Sequence, residues 1–245
     1  MDRKNEPCCC EEHEENCLVC GKPLVYLPQM VDMECCVCHR IKPANAHCAD
    51  GHFVCDECHS SGSAKVLSYL KESGEKDAVK LFLEVCRLKG VHMHGPEHHA
   101  IVPCVLLTAY HNCGGELPLE EALCEAWKRG KKVPGGACGF LGVCGAAAGA
   151  GIFASILCDA SPLAADVWDV PQKLTMKCLE KLVNVGGPRC CKRTGRLCIE
   201  TAAAFAGERF GVHMPLSRPV CEFSAKNREC LHNGCPYFGG DESNG

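Results

Sequence analysis

Between Cys17 and Cys58 the chain sets out four pairs of metal-ligand side chains: Cys17 with Cys20, Cys35 with Cys38, Cys48 with His52, and Cys55 with Cys58. Few large apolar residues separate them, and a segment of about forty residues with so little core does not fold without a staple. A CxxC turn puts two thiolates on one side of a knuckle, and a second pair from elsewhere closes the tetrahedron that zinc prefers. Eight ligands suit about two zinc ions. An interleaved RING-like or treble-clef module assigns Cys17, Cys20, Cys48 and His52 to one ion and Cys35, Cys38, Cys55 and Cys58 to the other. His47 competes with His52, and Cys36 with Cys35; the glycine before His52 and the regular CxxC spacing favour the set given. Closed four-ligand sites leave no position for substrate, so residues 17–59 read as a zinc-binding module for docking.

Cysteine is abundant throughout, at 25 of 245 residues. The first residues lack the basic start, apolar stretch and small-residue cleavage site of a secretory signal. The cysteine count is odd, and many cysteines fall in CxxC pairs or helix-like segments. We therefore expect reduced thiols, in the cytoplasm, serving metals or redox chemistry. A balance of 26 basic and 30 acidic residues gives a formal net charge of -4, with no global positive field to attract nucleic acid or an anionic membrane. Residues 133–158 carry no charge over a membrane-spanning length. Their glycines and alanines predict instead a buried helix in a soluble bundle, with close backbone approach. Residues 1–16, with Cys8-Cys9-Cys10 and an acidic run, and residues 239–245 read as disordered tails.

From residue 60 to 238 the apolar residues recur at three- and four-residue steps, which makes this a mostly α, cysteine-rich helical bundle domain. Beyond the first apolar runs, helices are expected near 97–112, 118–130, 144–158, 171–184 and 192–210, with Gly114, Gly130, Gly186 and Gly211 at helix ends. No alternating run is long enough for a sheet in this part of the chain, and no glycine-rich strand-to-helix loop of the dinucleotide-binding type occurs.

Four motifs sit at the boundaries of these helices, where side chains and free amides can converge on one cavity. In HGPEHH, His94 and His98 are four apart with His99 alongside, a spacing suited to metal ligation or acid–base work, weighed against capping and hydrogen bonding. In PGGACGFLGVCGAAAG, Cys138 and Cys144 flank a turn whose glycines leave room for a bulky group, so both are candidate cofactor ligands. In GGPRCCKR, Cys190 and Cys191 stand beside Arg189, Lys192, Arg193 and Arg196. Cations and a helix start favour thiolate, the form that attacks or binds metal. The tail supplies Cys221, Cys230 and Cys235, the last followed by proline as in iron–sulfur loops. With Cys190 or Cys191 these make a four-cysteine site for an iron–sulfur cluster or a structural zinc. Cys86, Cys104, Cys124, Cys158, Cys178 and Cys198, inside helices, read as core residues.

The HGPEHH, VPGGACGFLGVCGAAAGAGI, GGPRCCKR and NRECL…CPYF segments together resemble an uncharacterised cysteine-rich domain family of bacteria and archaea, over about residues 60–238. In that family the domain occurs alone, behind a zinc-knuckle segment, or fused to a SAM-dependent methyltransferase. CGAAAG is also similar to the CGAxxG proteins assigned to redox chemistry. The resemblance implies a partner of the methyltransferase or radical-SAM type. Three functions follow as expectations: a zinc and iron–sulfur thiol/redox accessory protein; a sulfur-, selenium- or methyl-transfer enzyme with Cys190 or Cys191 as nucleophile and His94, His98 or His99 as acid and base; and a purely structural zinc-dependent adaptor.

Overall fold

The structure, a computed structural model, describes residues 22–34, 40–53, 55 and 61–239. The chain divides near Ser61 into two compact units. Cys17, Cys20, Cys35, Cys38 and Cys58 lie outside the described residues, as do the first tail and nearly all of the second.

In the first unit, β1 (Leu24–Glu34) and β2 (Ile41–Cys48) form an antiparallel hairpin. The register slips between Tyr26 and Val31, where β1 runs past Pro28; proline has no N–H for a ladder, so a bulge is where a strand tolerates it. Val25, Tyr26, Met30, Val31 and Ile41 are exposed. Only Ala44, Cys48 and Cys55 are buried among the described residues of this unit.

The second unit is helical: α1 (Ser61–Glu72), α2 (Ala78–Arg87), α3 (Glu97–Asn112), α4 (Leu119–Gly130), α5 (Ala137–Phe140), α6 (Gly145–Leu157), α7 (Asp169–Val185) and α8 (Cys191–Phe210). A tail with two 3₁₀ turns, at Ser224–Lys226 and His232–Gly234, follows. The helices expected from the apolar periodicity are all present, with ends within a few residues of the expected ones. Helix α3 is the axis. Every residue from Ala100 to Tyr110 is buried, and α2, α4, α6 and α8 pack around it, which is the pattern of a helix apolar on all sides. No described helix is long and apolar enough to cross a membrane; the uncharged stretch becomes α5, a loop and the thirteen-residue α6.

Close packing uses the glycines. A Cβ at Gly130 would fall 2.4 Å from the Ala100 Cα, one at Gly195 2.4 Å from the Phe82 ring, and one at Gly149 2.8 Å from the His99 carbonyl oxygen. Gly130 thus serves the α3–α4 contact rather than only ending a helix. Pro103, inside α3, has no N–H to give the His99 carbonyl four residues back, and α6 approaches at that point. Cys86, Cys104, Cys178 and Cys198 are core residues, as expected, whereas Cys124 is exposed on α4 and Cys158 is half-buried at the end of α6.

Candidate functional site

The first turn of α8 organises the most distinctive group of side chains. Cys190 caps this twenty-residue helix, its sulfur accepting the Arg193 amide at 3.4 Å. Lys192, Arg193 and Arg196 follow, and all three are buried, at 2%, 4% and 2% exposed. Lys192 Nζ donates to the His92 carbonyl at 2.6 Å and to His98 Nε2 at 2.8 Å. Arg193 Nη2 holds the turn before the helix through the carbonyls of Gly186 and Pro188. Arg196 Nη1 donates to the Pro219 carbonyl at 2.8 Å, and its guanidinium lies 3.7 Å from the centre of the Tyr237 ring.

The tail folds back over this turn. The Cys221 amide donates to the Tyr237 carbonyl at 2.8 Å, and the Tyr237 hydroxyl donates to Glu200 at 3.0 Å. His94 Nε2 donates to Asn227 Oδ1 at 3.0 Å, tying the loop before Cys230 to the segment ahead of α3. The result is a cavity of about 20 Å³ lined by Cys190, Cys221, Cys230 and Cys235 together with Lys192, Arg193 and Arg196. No acidic residue lines it. The sulfurs of Cys221 and Cys230 each accept the amide two residues on, from Phe223 and His232, both at 3.4 Å. Among the described residues, no three Cys, His, Asp or Glu side chains stand close enough, as placed, to hold one metal ion.

The other candidates lie elsewhere. Cys191, next to Cys190 in sequence, turns to the Gly95 amide and not to the tail cavity. His98 is 1% exposed, donates from Nδ1 to the Gly95 carbonyl at 3.0 Å and accepts Lys192 on Nε2, so both ring nitrogens are committed. His99 donates from Nδ1 to the Val133 carbonyl at 3.0 Å, and its ring fills the space that a Cβ at Gly145 would need, 2.0 Å away. The glycine-rich segment therefore admits an imidazole and a helix backbone where the sequence suggested room for a cofactor. Cys138 is exposed on α5, and Cys144 is half-buried at the start of α6; neither lines the tail cavity.

Burial outweighs the cations at the paired thiols. It pushes Cys191 up to about 11 and raises Cys190, despite amide hydrogen bonds and neighbouring positive charge. Burial thus works against the thiolate form that the neighbouring cations favour. Burial likewise lowers His94, His98 and His99, and for His98 the Lys192 charge adds to the effect. Arg196, Tyr237 and Asn227 complete the site without having drawn notice as ligand partners; the i, i+4 spacing of Lys192 and Arg196 in CKRTGR was the available signal.

In the first unit, Cys48 and His52 come together. Cys48 Sγ is 3.4 Å from His52 Nδ1 and accepts the His52 amide at 3.3 Å, across a turn whose Gly51 has φ +78. Cys55 is 2% exposed.

Residues 66–238 match the profile of a family of unknown function (DUF5714), in keeping with the expectation of an uncharacterised domain family. No curated protein and no solved structure matches the chain.

Proposed function

The chain belongs to DUF5714, a family of unknown function, and we propose that within it this protein is a metal–thiolate accessory protein whose centre is the tetrad Cys190, Cys221, Cys230 and Cys235. The observation that carries the proposal is the wall of the tail cavity: four cysteines, three buried cations and no acid. Buried positive charge is retained where negative charge meets it. Glu200, 4.0 Å from Arg196, meets part of it, and four neutral thiols do not meet the rest. A divalent ion that displaces their protons leaves a complex of net charge −2 and does. Backbone amides already donate to three of the four sulfurs, the hydrogen bonding that favours thiolate and orients ligands. The tail carrying three of them consists of short turns, so drawing the sulfurs inward breaks no helix.

A space of about 20 Å³ is of the size of a single ion, zinc or iron, and binding one requires the tail sulfurs to draw inward. An iron–sulfur cluster, which the proline after Cys235 favours, requires the tail to move outward. Transfer chemistry at Cys190 or Cys191 is the weaker reading, because burial keeps both as thiols and His98 and His99 are engaged by structural partners.

The first unit is proposed as a zinc-dependent docking module. A hairpin with three buried residues and an exposed apolar surface is marginal alone. The turn that presents Cys48 and His52 together, with an amide on the sulfur, supports their role as ligands. Its partner follows from the resemblance, as a methyltransferase or radical-SAM enzyme in the cytoplasm. The test is metal and acid-labile sulfide analysis of the full chain purified anaerobically. Cys230→Ser should lose one metal ion, or one cluster with its sulfide, per chain. Equal content in the two proteins would refute the tetrad.

A further inference from the structure

We infer that the outward face of α7 joins two copies of this chain in an antiparallel, two-fold pairing, an assembly that does not depend on metal at the tail tetrad. Helix α7 packs against α6 and α8 and buries Val170, Leu174 and Cys178. At about 100° per residue, Trp168, Met176, Leu179 and Val183 fall within roughly 80° of one another on the opposite side, in a row about 22 Å long. Trp168 is 51% exposed, Met176 63% and Val183 77%, and Leu179 sits half-buried at the edge of the core. Single exposed apolar side chains are ordinary on a protein surface. A row of them at helical spacing, with a tryptophan at one end, is the form of a helix-on-helix contact.

The charges beside the row point to a second copy as its occupant. Asp169, Lys173 and Glu180 follow one flank, the side on which Lys177 reaches Glu208 of α8. The other flank, with Pro171 and Thr175, is taken by α6 at Gly151. A two-fold axis perpendicular to the helix lays the charged flank against itself with its direction reversed. Centred between Met176 and Lys177, that axis sets Lys173 of each copy against Glu180 of the other, places the two Met176 side chains next to each other and puts Val183 beside Trp168 of the second copy. A parallel pairing would instead set Lys173 on Lys173 and Glu180 on Glu180, which is repulsive. Lys173 is paired along its own flank with Asp169, while Glu180 makes no ion pair among the described residues. An isologous contact requires a patch complementary to itself, and one helix with its cap supplies both signs of charge and an apolar anchor at each end.

The test is sedimentation equilibrium of the full chain at low salt, over about 1–100 μM. Wild type should approach two chains per particle at the upper end. Met176→Asp, at an exposed position, should keep the unfolding temperature of the single chain and weaken pairing at least about tenfold. Lys173→Glu and Glu180→Lys should each weaken it about three- to tenfold, and the two together should return it to within about twofold of wild type. A chain that stays single throughout overturns the pairing and leaves the row to a different protein. A dimer indifferent to Met176→Asp overturns it as well, and so does a double exchange that pairs no better than the single ones.

Discussion

Replacing Gly145 by alanine separates two accounts of the glycine-rich segment, room for a bound group or room for a neighbouring helix. The new Cβ would lie 2.0 Å from His99 Cδ2 and 2.3 Å from its Cγ and Nε2. Ordinary contact begins near 3.4 Å, so the ring must retreat by about 1.4 Å. Retreat pulls Nδ1 off the Val133 carbonyl. Overpacking of this kind costs about 1–3 kcal/mol, and a buried donor and acceptor left unpaired add about 1–3 kcal/mol. Alanine returns at most about 1 kcal/mol of helix propensity. The net loss is about 3 kcal/mol, which for a domain of this size lowers Tm by roughly 6–12 °C. Gly139→Ala is the control: nothing lies within 4 Å of its Cβ position, and it should stay within about 0.5 kcal/mol of wild type. Thermal and urea unfolding of both variants, with metal content measured alongside, gives the answer. A Gly145→Ala protein as stable as wild type but short of metal would refute the packing account.

Asp77 accepts the amides of Val79 and Lys80 at the start of α2 and the Ser217 amide ahead of the tail; Asp77→Ala should cost about 2–3 kcal/mol by urea unfolding, and Asp77→Asn clearly less. His98 is held neutral below the pKa it has in the unfolded chain, so the unfolded state binds the extra proton. Stability is full above about pH 6.5 and falls toward lower pH, by up to about 1.4 kcal/mol per pH unit for this residue. His98→Gln, unfolded in urea at pH 7 and pH 5, should show a pH dependence shallower by about one proton; an unchanged slope would count against a buried neutral His98. With iodoacetamide near neutral pH, exposed Cys138 and Cys124 should alkylate quickly, while Cys86 and Cys191, raised by burial to about 12 and about 11, should react slowly in peptide mass mapping. Rapid labelling of Cys191 would revive the nucleophile reading. Chelation should hasten proteolysis between residues 216 and 238 while α3 to α8 stay intact; a tail equally resistant with and without chelator would mean that it holds no metal.

The helices were legible because their apolar spacing and their proline and glycine boundaries are local properties. Leu119–Gly130 and Cys191–Phe210 begin and end close to where those signals stand. The hairpin was not, since its strands leave most side chains exposed and so carry no alternation between buried and exposed faces. The glycines of the central motif were visible as a request for space, but a sequence does not say what occupies it. His99 and the α3 backbone do.

The paired cysteines illustrate a sharper limit. Adjacent residues at a helix start point about 100° apart, so one motif serves two surroundings. Cys190 faces the tail and Cys191 faces Gly95. The sequence left open which of the two joins the tail cysteines; the cavity wall holds Cys190 and not Cys191. Lys192, Arg193 and Arg196 were equally visible as charge, and charge alone suggested activated thiols. Burial works the other way, because desolvation raises these thiols more than the neighbouring cations lower them. The same burial also makes the cations expensive unless something anionic joins them. The proposed thiolate tetrad would answer both facts: a divalent ion would remove the protons that burial otherwise keeps, and the thiolates would add negative charge beside Lys192, Arg193 and Arg196, of which Arg196 already has Glu200 within ion-pair range.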